Sequence, residues 1–219
     1  MSKFRFAFIL GAAIFVLMGC VGGSSPEENV YNVLEETVAK ESQYVDVQKP
    51  LQELEEKEKE IYTKIMDLGM KEFDQIVKLS DEALDNIDKR KDYIQKERKS
   101  MSEAKKEFAK ADGYFDKLEN EDLKKEAEKL KKTMEERYQL HEKLTSSYLE
   151  ALSLDKELYN MFKKKDLTMD ELEEQIASIN EQYEKIVKFN EDYNKKTDEF
   201  NKQKQEFYSK AELDVKESE

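Results

Sequence analysis

The sequence is poor in residue types that interrupt long helices or cross-link a chain. Its 219 residues include no tryptophan, two prolines, six glycines and a single cysteine. One thiol cannot form a disulfide within the chain. Few glycines and prolines, combined with 41% charged residues, are typical of long helices and coiled coils. The composition therefore favours an all-α protein.

Residues suited to catalysis or metal binding are equally scarce. His141 is the only histidine, and no cysteine or second histidine accompanies it at metal-ligand spacing. The sequence has no glycine-rich phosphate loop, no Gly-x-Ser-x-Gly elbow and no aspartate-rich calcium loop. We therefore predict that the chain is not an enzyme and has no catalytic residue and no metal site. We interpret His141 as a core or boundary residue.

The charge is strongly acidic, with 51 acidic against 38 basic residues and a formal net charge of −13. Such a field opposes binding to nucleic acid, anionic lipid head groups and phosphate-rich wall polymers. We expect partners that are neutral, cationic or bridged by divalent ions, and no nucleic acid. Acidic pairs such as Glu55 with Glu56, and the basic clusters at 89–91 and 163–165, are interpreted as solvated surface residues.

The amino terminus has the order of features found in an export signal. Lys3 and Arg5 precede an apolar run over residues 6–18. The run is too short for a permanent membrane span, which needs about 20 apolar residues. We therefore predict that residues 1–19 are a signal peptide that is removed.

The apolar run ends in a lipobox, formed by Leu17, Met18, Gly19 and Cys20. We predict that Leu17, Met18 and Gly19 are recognised by the signal peptidase. Cys20 would then carry a covalent diacylglycerol, and we expect no other cofactor. Two acyl chains anchor a protein stably where a single chain is marginal. Residues 20–26 have the composition of a flexible tether.

Apolar residues recur at alternating spacings of three and four, which predicts helices over 27–68, 72–112, 121–163 and 169–208. The clearest seam runs from Leu172 to Phe207 and has polar interruptions at Asn190, Thr197 and Lys204. Asn120 is a candidate N-cap of the third helix, and Thr168 with Glu171 forms a candidate capping box for the fourth. Gly113 is a plausible terminator of the second.

The first helix has the weakest pattern. Pro50 predicts a kink or a short break near residues 46–50, because proline removes a helical hydrogen bond. A phase slip at Gly69 marks the first turn. The polar seam positions Glu41, Gln48 and Glu58 suggest a loosely packed helix that could exchange its partner.

Short links between long helices predict an elongated, antiparallel, up-and-down four-helix bundle, with helices about 60 Å long. An alternative first turn at 79–81 would give a bent three-helix bundle, and the seams could also close between chains as a coiled coil. Residues 209–219 would fray as a disordered acidic tail. Six tyrosines beside the seams are interpreted as boundary residues with hydroxyls in water: Tyr31, Tyr62, Tyr114, Tyr138, Tyr159 and Tyr208.

The lipobox, followed by Lys/Glu/Tyr-rich helices that include the stretch 148–159 (YLEALSLDKELY), resembles the YkyA family of cell-wall-binding lipoproteins of Gram-positive bacteria. The likeness covers nearly the whole mature chain. It implies a four-helix bundle at the outer face of the cytoplasmic membrane, in contact with peptidoglycan, and it carries over no catalytic residues.

Two functional hypotheses follow. The first is a membrane-anchored, non-enzymatic lipoprotein that binds or spaces a component of the cell envelope, such as the wall. The second is a coiled-coil adaptor that recruits an envelope protein through its first helix.

Overall fold

A computed structural model describes residues 24–68 and 72–213. The predicted signal peptide, the lipobox and Gly69 lie outside the described residues. Within the described ranges the chain is helical and has no strand: α1 Pro26–Lys40, α2 Ser42–Asp67, α3 Phe73–Phe108, α4 Asp112–Phe115, α5 Glu121–Phe162 and α6 Met169–Lys210. Because α1 continues into α2 and α3 reaches α4 through a short 3₁₀ turn, these helices form four rods. The predicted all-α bundle is confirmed.

The rods pack in sequence order, α1 and α2 on α3, α3 on α5, and α5 along α6. The core has two apolar clusters. The proximal cluster, at the end where α1 begins, includes Val30, Leu130 and Phe207. The distal cluster, near the end of α2, includes Ile61 and Tyr159. Both clusters consist of residues between Ser24 and Leu213, so we expect a chain that starts at Ser24 to fold by itself.

The alternative turn at 79–81 is wrong. Helix α3 runs without interruption through these residues. Ser80 is fully buried, and its hydroxyl donates to the carbonyl of Ile76 over 2.8 Å, one helical turn earlier. This bonding belongs to a helix interior, so the bent three-helix layout is excluded.

The break in the first rod is at Glu41, not near residues 46–50 as predicted. The Tyr44 amide donates to the Glu41 carbonyl at 2.9 Å, three residues back. The Lys40 carbonyl accepts instead from the Ser100 hydroxyl at 2.7 Å. Pro50 lies inside α2, which continues through it. The break therefore occurs where tertiary partners take over the backbone groups, because they offset the lost helical bond.

The predicted helix starts hold well. Asn120 accepts from the Asp122 amide at 2.8 Å, and Thr168 forms a complete capping box with Glu171. Helix α1 begins one residue earlier than predicted, at Pro26, because Ser25 caps it in a further capping box. The last residues of the predicted tether thus belong to the helix start.

Two predicted helix ends are wrong. Gly113 does not terminate a helix, since it lies inside α4. Residues 209–213 do not fray as predicted. The Leu213 amide donates to the Tyr208 carbonyl at 3.1 Å, and Glu212 adopts a positive φ of 53°. This is a Schellman cap, and Leu213 packs against the proximal cluster. Residues 214–219 lie outside the described residues.

Arg137 of α5 ties the break to the rest of the bundle. Its side chain is 2% exposed, and its two terminal nitrogens donate to the two carboxylate oxygens of Glu41 at 2.6 and 2.7 Å. It also donates to the hydroxyls of Tyr193 at 2.7 Å and Thr197 at 2.9 Å. Burial opposes the charge, but Glu41 and Tyr193 hold the pKa of Arg137 above its ordinary value.

We expect Arg137→Met to lower the free energy of unfolding by about 3–5 kcal/mol, because Glu41 is then left buried without a counter-charge. Adding Glu41→Gln should recover about half of that loss or more. Urea unfolding measures both effects. Lys132→Met, an exposed change on the same helix, is the control and should stay within about 0.5 kcal/mol of the parent. A double variant as unstable as Arg137→Met alone would contradict the prediction.

Candidate functional site

A cleft runs between α2 and α6 in the distal half of the bundle. In the proximal half, α1 closes this space, because Glu35 accepts hydrogen bonds from Lys204 at 2.9 Å and from Tyr208 at 2.8 Å. Beyond the break at Glu41, α2 stays on α3, and the described parts of α2 and α6 make little direct contact. The gap between them has a volume of about 1050 Å³.

The cleft is elongated. Along α2 it extends from Tyr44 to Tyr62, and along α6 from Ile176 to Asn190. At about 1.5 Å per residue these walls are about 27 and about 21 Å long. Side chains of α3 and α5 form the floor.

The two walls differ in chemistry. The α6 wall carries no charge and consists of Ile176, Ile179, Asn180, Tyr183, Ile186, Val187 and Asn190. The α2 wall carries charges of both signs, from Lys49, Glu55, Glu56, Glu58 and Lys59. An occupant that uses both walls therefore needs an apolar side and a polar side.

Arg90 of α3 is the central group of the floor, with a side chain that is 1% exposed. Its Nε donates to the Tyr148 hydroxyl at 2.9 Å, and its terminal nitrogens donate to Glu58 and to the Tyr183 hydroxyl. Asp155 lies 3.8 Å from the same guanidinium. Residues of all four rods thus meet at one cation.

Each carboxylate around Arg90 accepts a hydrogen bond from a tyrosine. The Tyr148 hydroxyl donates to Glu55 at 2.6 Å, and the Tyr183 hydroxyl donates to Asp155 at 2.8 Å. Glu58 accepts from Tyr159 in the same way at 3.1 Å. These bonds hold the carboxylates in place before any ligand arrives.

Negative charge exceeds positive charge at this point, because Glu55, Glu58 and Asp155 share one guanidinium. Burial, followed by repulsion from Glu58, raises the pKa of Asp155 to about 7. Burial also raises the pKa of Glu55. Burial opposes the charge of Arg90, yet its tyrosine and carboxylate neighbours raise its pKa.

A second polar group lies at the proximal end of the cleft. His141 Nε2 is 2.8 Å from Glu97 Oε1, and both side chains are buried. Gln48 donates to the other oxygen of Glu97 at 3.3 Å. The interpretation of His141 as a core or boundary residue is confirmed, since it is 4% exposed.

The interpretation of the polar seam positions in the first helix is wrong. Glu41, Gln48 and Glu58 do not mark loose packing, because each binds a partner on α3 or α5, namely Arg137, Glu97 and Arg90 respectively. They are the α1–α2 half of the polar network in the bundle core.

Several residues interpreted as surface groups are buried or bind specific partners. Arg90, in the basic cluster at 89–91, points into the core. Glu55, interpreted as a solvated acid, accepts from Tyr148 in the cleft. Four of the six tyrosines placed at the boundary are at most 6% exposed: Tyr31, Tyr138, Tyr159 and Tyr208. Lys163, in the second basic cluster, pairs with Asp81 at 2.6 Å.

A sequence signal for these residues exists. Residues at seven-residue intervals on α3, from Ile76 through Arg90 and Glu97 to Ala104, are all buried. Asp155 follows His141 and Tyr148 at the same interval on α5. A charged residue in phase with an apolar seam indicates a buried polar group that needs a partner.

Two further properties concern the described residues alone. None of their helices is long and apolar enough to cross a bilayer. No group of three or more of their His, Cys, Asp and Glu side chains is placed to hold a metal ion. Leu17, Met18, Gly19 and Cys20 lie outside the described residues, so their roles stay predictions.

Asp155→Asn should raise stability relative to the parent, and this gain should be about 1–3 kcal/mol larger at pH 8 than at pH 5. The folded pKa near 7 exceeds the ordinary pKa of 3.8, so the stability that Asp155 contributes is complete below about pH 4 and is lost as the pH rises through 7. Asparagine imitates the protonated acid and removes that loss.

Urea unfolding of both proteins at pH 5 and 8 measures the difference. Asp88→Asn, an exposed change on α3, is the control and should behave alike at both pH values. Parallel pH profiles for Asp155→Asn and the parent would refute the assignment.

Comparison with known proteins agrees with the resemblance seen in the sequence. The YkyA family model, described as "Putative cell-wall binding lipoprotein", matches residues 25–210. The "Uncharacterized lipoprotein YkyA" of Bacillus subtilis (strain 168) is 35% identical over 207 residues, which are 94% of this chain and 92% of that protein. A conserved protein of unknown function from Staphylococcus aureus has the same fold in its crystal structure, with a TM-score of 0.60, 22% identity, and coverage of 87% of this chain and 98% of that one. The chain therefore belongs to the YkyA family of lipoproteins.

Proposed function

We propose that this protein is a lipid-anchored, non-catalytic binding protein at the outer face of the cytoplasmic membrane, which holds a component of the cell envelope in the α2–α6 cleft. The family description names cell-wall binding, and the resemblance seen in the sequence implies contact with peptidoglycan. The observation that carries the proposal is an open, preorganised cleft in the half of the rod that is farther from the tether.

The geometry supports presentation of the cleft away from the membrane. Helix α1 starts at Pro26, six residues after Cys20. The cleft begins at Tyr44, about 27 Å further along the rod, and α2 ends at Asp67, about 60 Å along it. If the lipid on Cys20 is in the bilayer and the rod points away from the membrane, the cleft faces the cell wall.

The charge of the chain supports a neutral or cationic target. At −13, the field around the rod opposes anionic wall polymers. The polar groups of the cleft are bound to one another in the described structure, an arrangement that suits binding more than proton transfer.

An adaptor for a protein partner is the second candidate. The prediction of a loosely packed first helix, which suggested an adaptor, is wrong. The apolar and charged walls of the cleft favour an adaptor independently, because they suit an amphipathic helix of a partner.

Cys20→Ala should release the protein from the membrane fraction into the medium or leave its precursor uncleaved, because the thioether that carries the acyl chains cannot form. Ser24→Ala, in the same predicted tether, should leave fractionation unchanged. Fractionation of cells and mass spectrometry of the amino-terminal peptide are the measurements. An unmodified Cys20 thiol in native material would remove the anchor from the proposal.

The chain from Ser24 onward should co-sediment with isolated cell walls at about 0.15 M salt, where long-range charge effects are largely screened. Repeating the assay with a chelator separates direct binding from a bridge of divalent ions. An acidic, unrelated protein of similar charge is the control. Absence of co-sedimentation at every salt concentration would eliminate wall binding and leave the anchored rod.

A further inference from the structure

The length of the α2–α6 cleft matches that of a short helix. Its walls extend over the range 44–62 on α2 and 176–190 on α6, or about 27 and about 21 Å. A helix of about 14–18 residues has this length. Because α2 and α6 leave the gap between them open, a helix placed there would complete the ring of rods in the distal half of the bundle.

The α6 wall offers an apolar stripe for one side of such a helix. Ile176, Ile179, Ile186 and Val187 line it. Ile176 and Val187 are partly exposed, and Val45 on the opposite wall is 41% exposed. An amphipathic helix inserts apolar side chains at intervals of three and four residues into a groove of this kind.

The remaining lining requires positive charge from the occupant. Five carboxylates, Glu55, Glu56, Glu58, Glu97 and Asp155, line the cleft together with three basic side chains, Lys49, Lys59 and Arg90. Arg90 already pairs with three of these carboxylates, those of Glu55, Glu58 and Asp155. Burial, followed by repulsion from Glu58 and Glu56, raises the pKa of Glu55, and a further cation beside Glu55 and Glu56 would oppose both effects.

We propose that the α2–α6 cleft is a docking groove for a cationic amphipathic helix of a partner protein, whose apolar side packs on α6 and whose basic side faces Glu55 and Glu56 of α2. The proposal deepens the proposed function and rests on it for the location of the protein, at the outer face of the membrane, where the partner would be met. The net charge of −13 disfavours a second copy of this chain as the occupant, because two such chains repel each other.

Binding of synthetic peptides to the purified chain from Ser24 onward tests the proposal. The probe is a peptide of about 18 residues with leucines on one helical side and lysines on the other. Calorimetry at about 0.15 M salt should show one peptide per chain. A scrambled peptide of the same composition, and a peptide with glutamate in place of lysine, should each bind at least about tenfold more weakly.

A pair of charge-matched variants locates the site. Glu55→Gln with Glu56→Gln should weaken binding of the lysine peptide about tenfold. Glutamine keeps an oxygen that accepts from Tyr148, so the fold is preserved, and urea unfolding checks this. Glu173→Gln with Glu174→Gln removes the same charge from an exposed part of α6 outside the cleft and should leave the affinity unchanged.

Equal weakening by both double variants would overturn the proposal, since it would show attraction to the overall charge. Equal binding of the scrambled peptide would do the same, as would a disaccharide-peptide fragment of the wall that binds the cleft more tightly than the lysine peptide. Failure of the peptide to bind, with wall co-sedimentation intact in Glu55→Gln/Glu56→Gln, would remove the helix-docking role and leave the proposed function standing.

Discussion

The bundle depends on two arginines that are buried where helical seams meet. Arg90 and Arg137 are at most 2% exposed, and a guanidinium in such a place is tolerable only when carboxylates and hydroxyls surround it. Glu41, Tyr193 and Thr197 surround Arg137. Arg90 has Glu58, Tyr148 and Tyr183. Because the partners come from different rods, each arginine sets the relative positions of several helices at once.

The requirement at Arg137 explains the interruption of the first rod. Glu41 must direct its carboxylate toward α5, and the Lys40 carbonyl released there finds the Ser100 hydroxyl. Before the break, α1 closes on α6 through Glu35, and after it α2 follows α3 and leaves α6. One buried ion pair thus divides the rod into a closed proximal half and an open distal half.

In the open distal half, the floor of the cleft is fixed by hydrogen bonds, and its two walls differ in charge. Tyrosine hydroxyls donate to the acids around Arg90 and thereby fix the orientation of the polar groups in the cleft. The same arrangement brings three carboxylates together in a partly buried site. Burial and repulsion from Glu58 therefore raise the pKa of Asp155. Preorganisation of this kind is favourable for binding, because less is lost in ordering the site when a ligand enters. The geometry therefore connects the stability of the core to the chemistry of the proposed partner.

Much of this protein was determined by the sequence alone. Scarce glycine and proline with regular apolar spacing predicted four long rods, and Asn120 and Thr168 marked two helix starts correctly, because caps and seams are local properties. Only the tertiary structure decided the place of the break, the burial of Arg90, the pairing of Glu55 with Tyr148, and the existence of the cleft. A seam shows that a residue faces inward, but its partner lies on another rod, 96 residues away for Arg137 and Glu41. The gap between α2 and α6 depends on how distant helices are placed, a property that no local pattern contains.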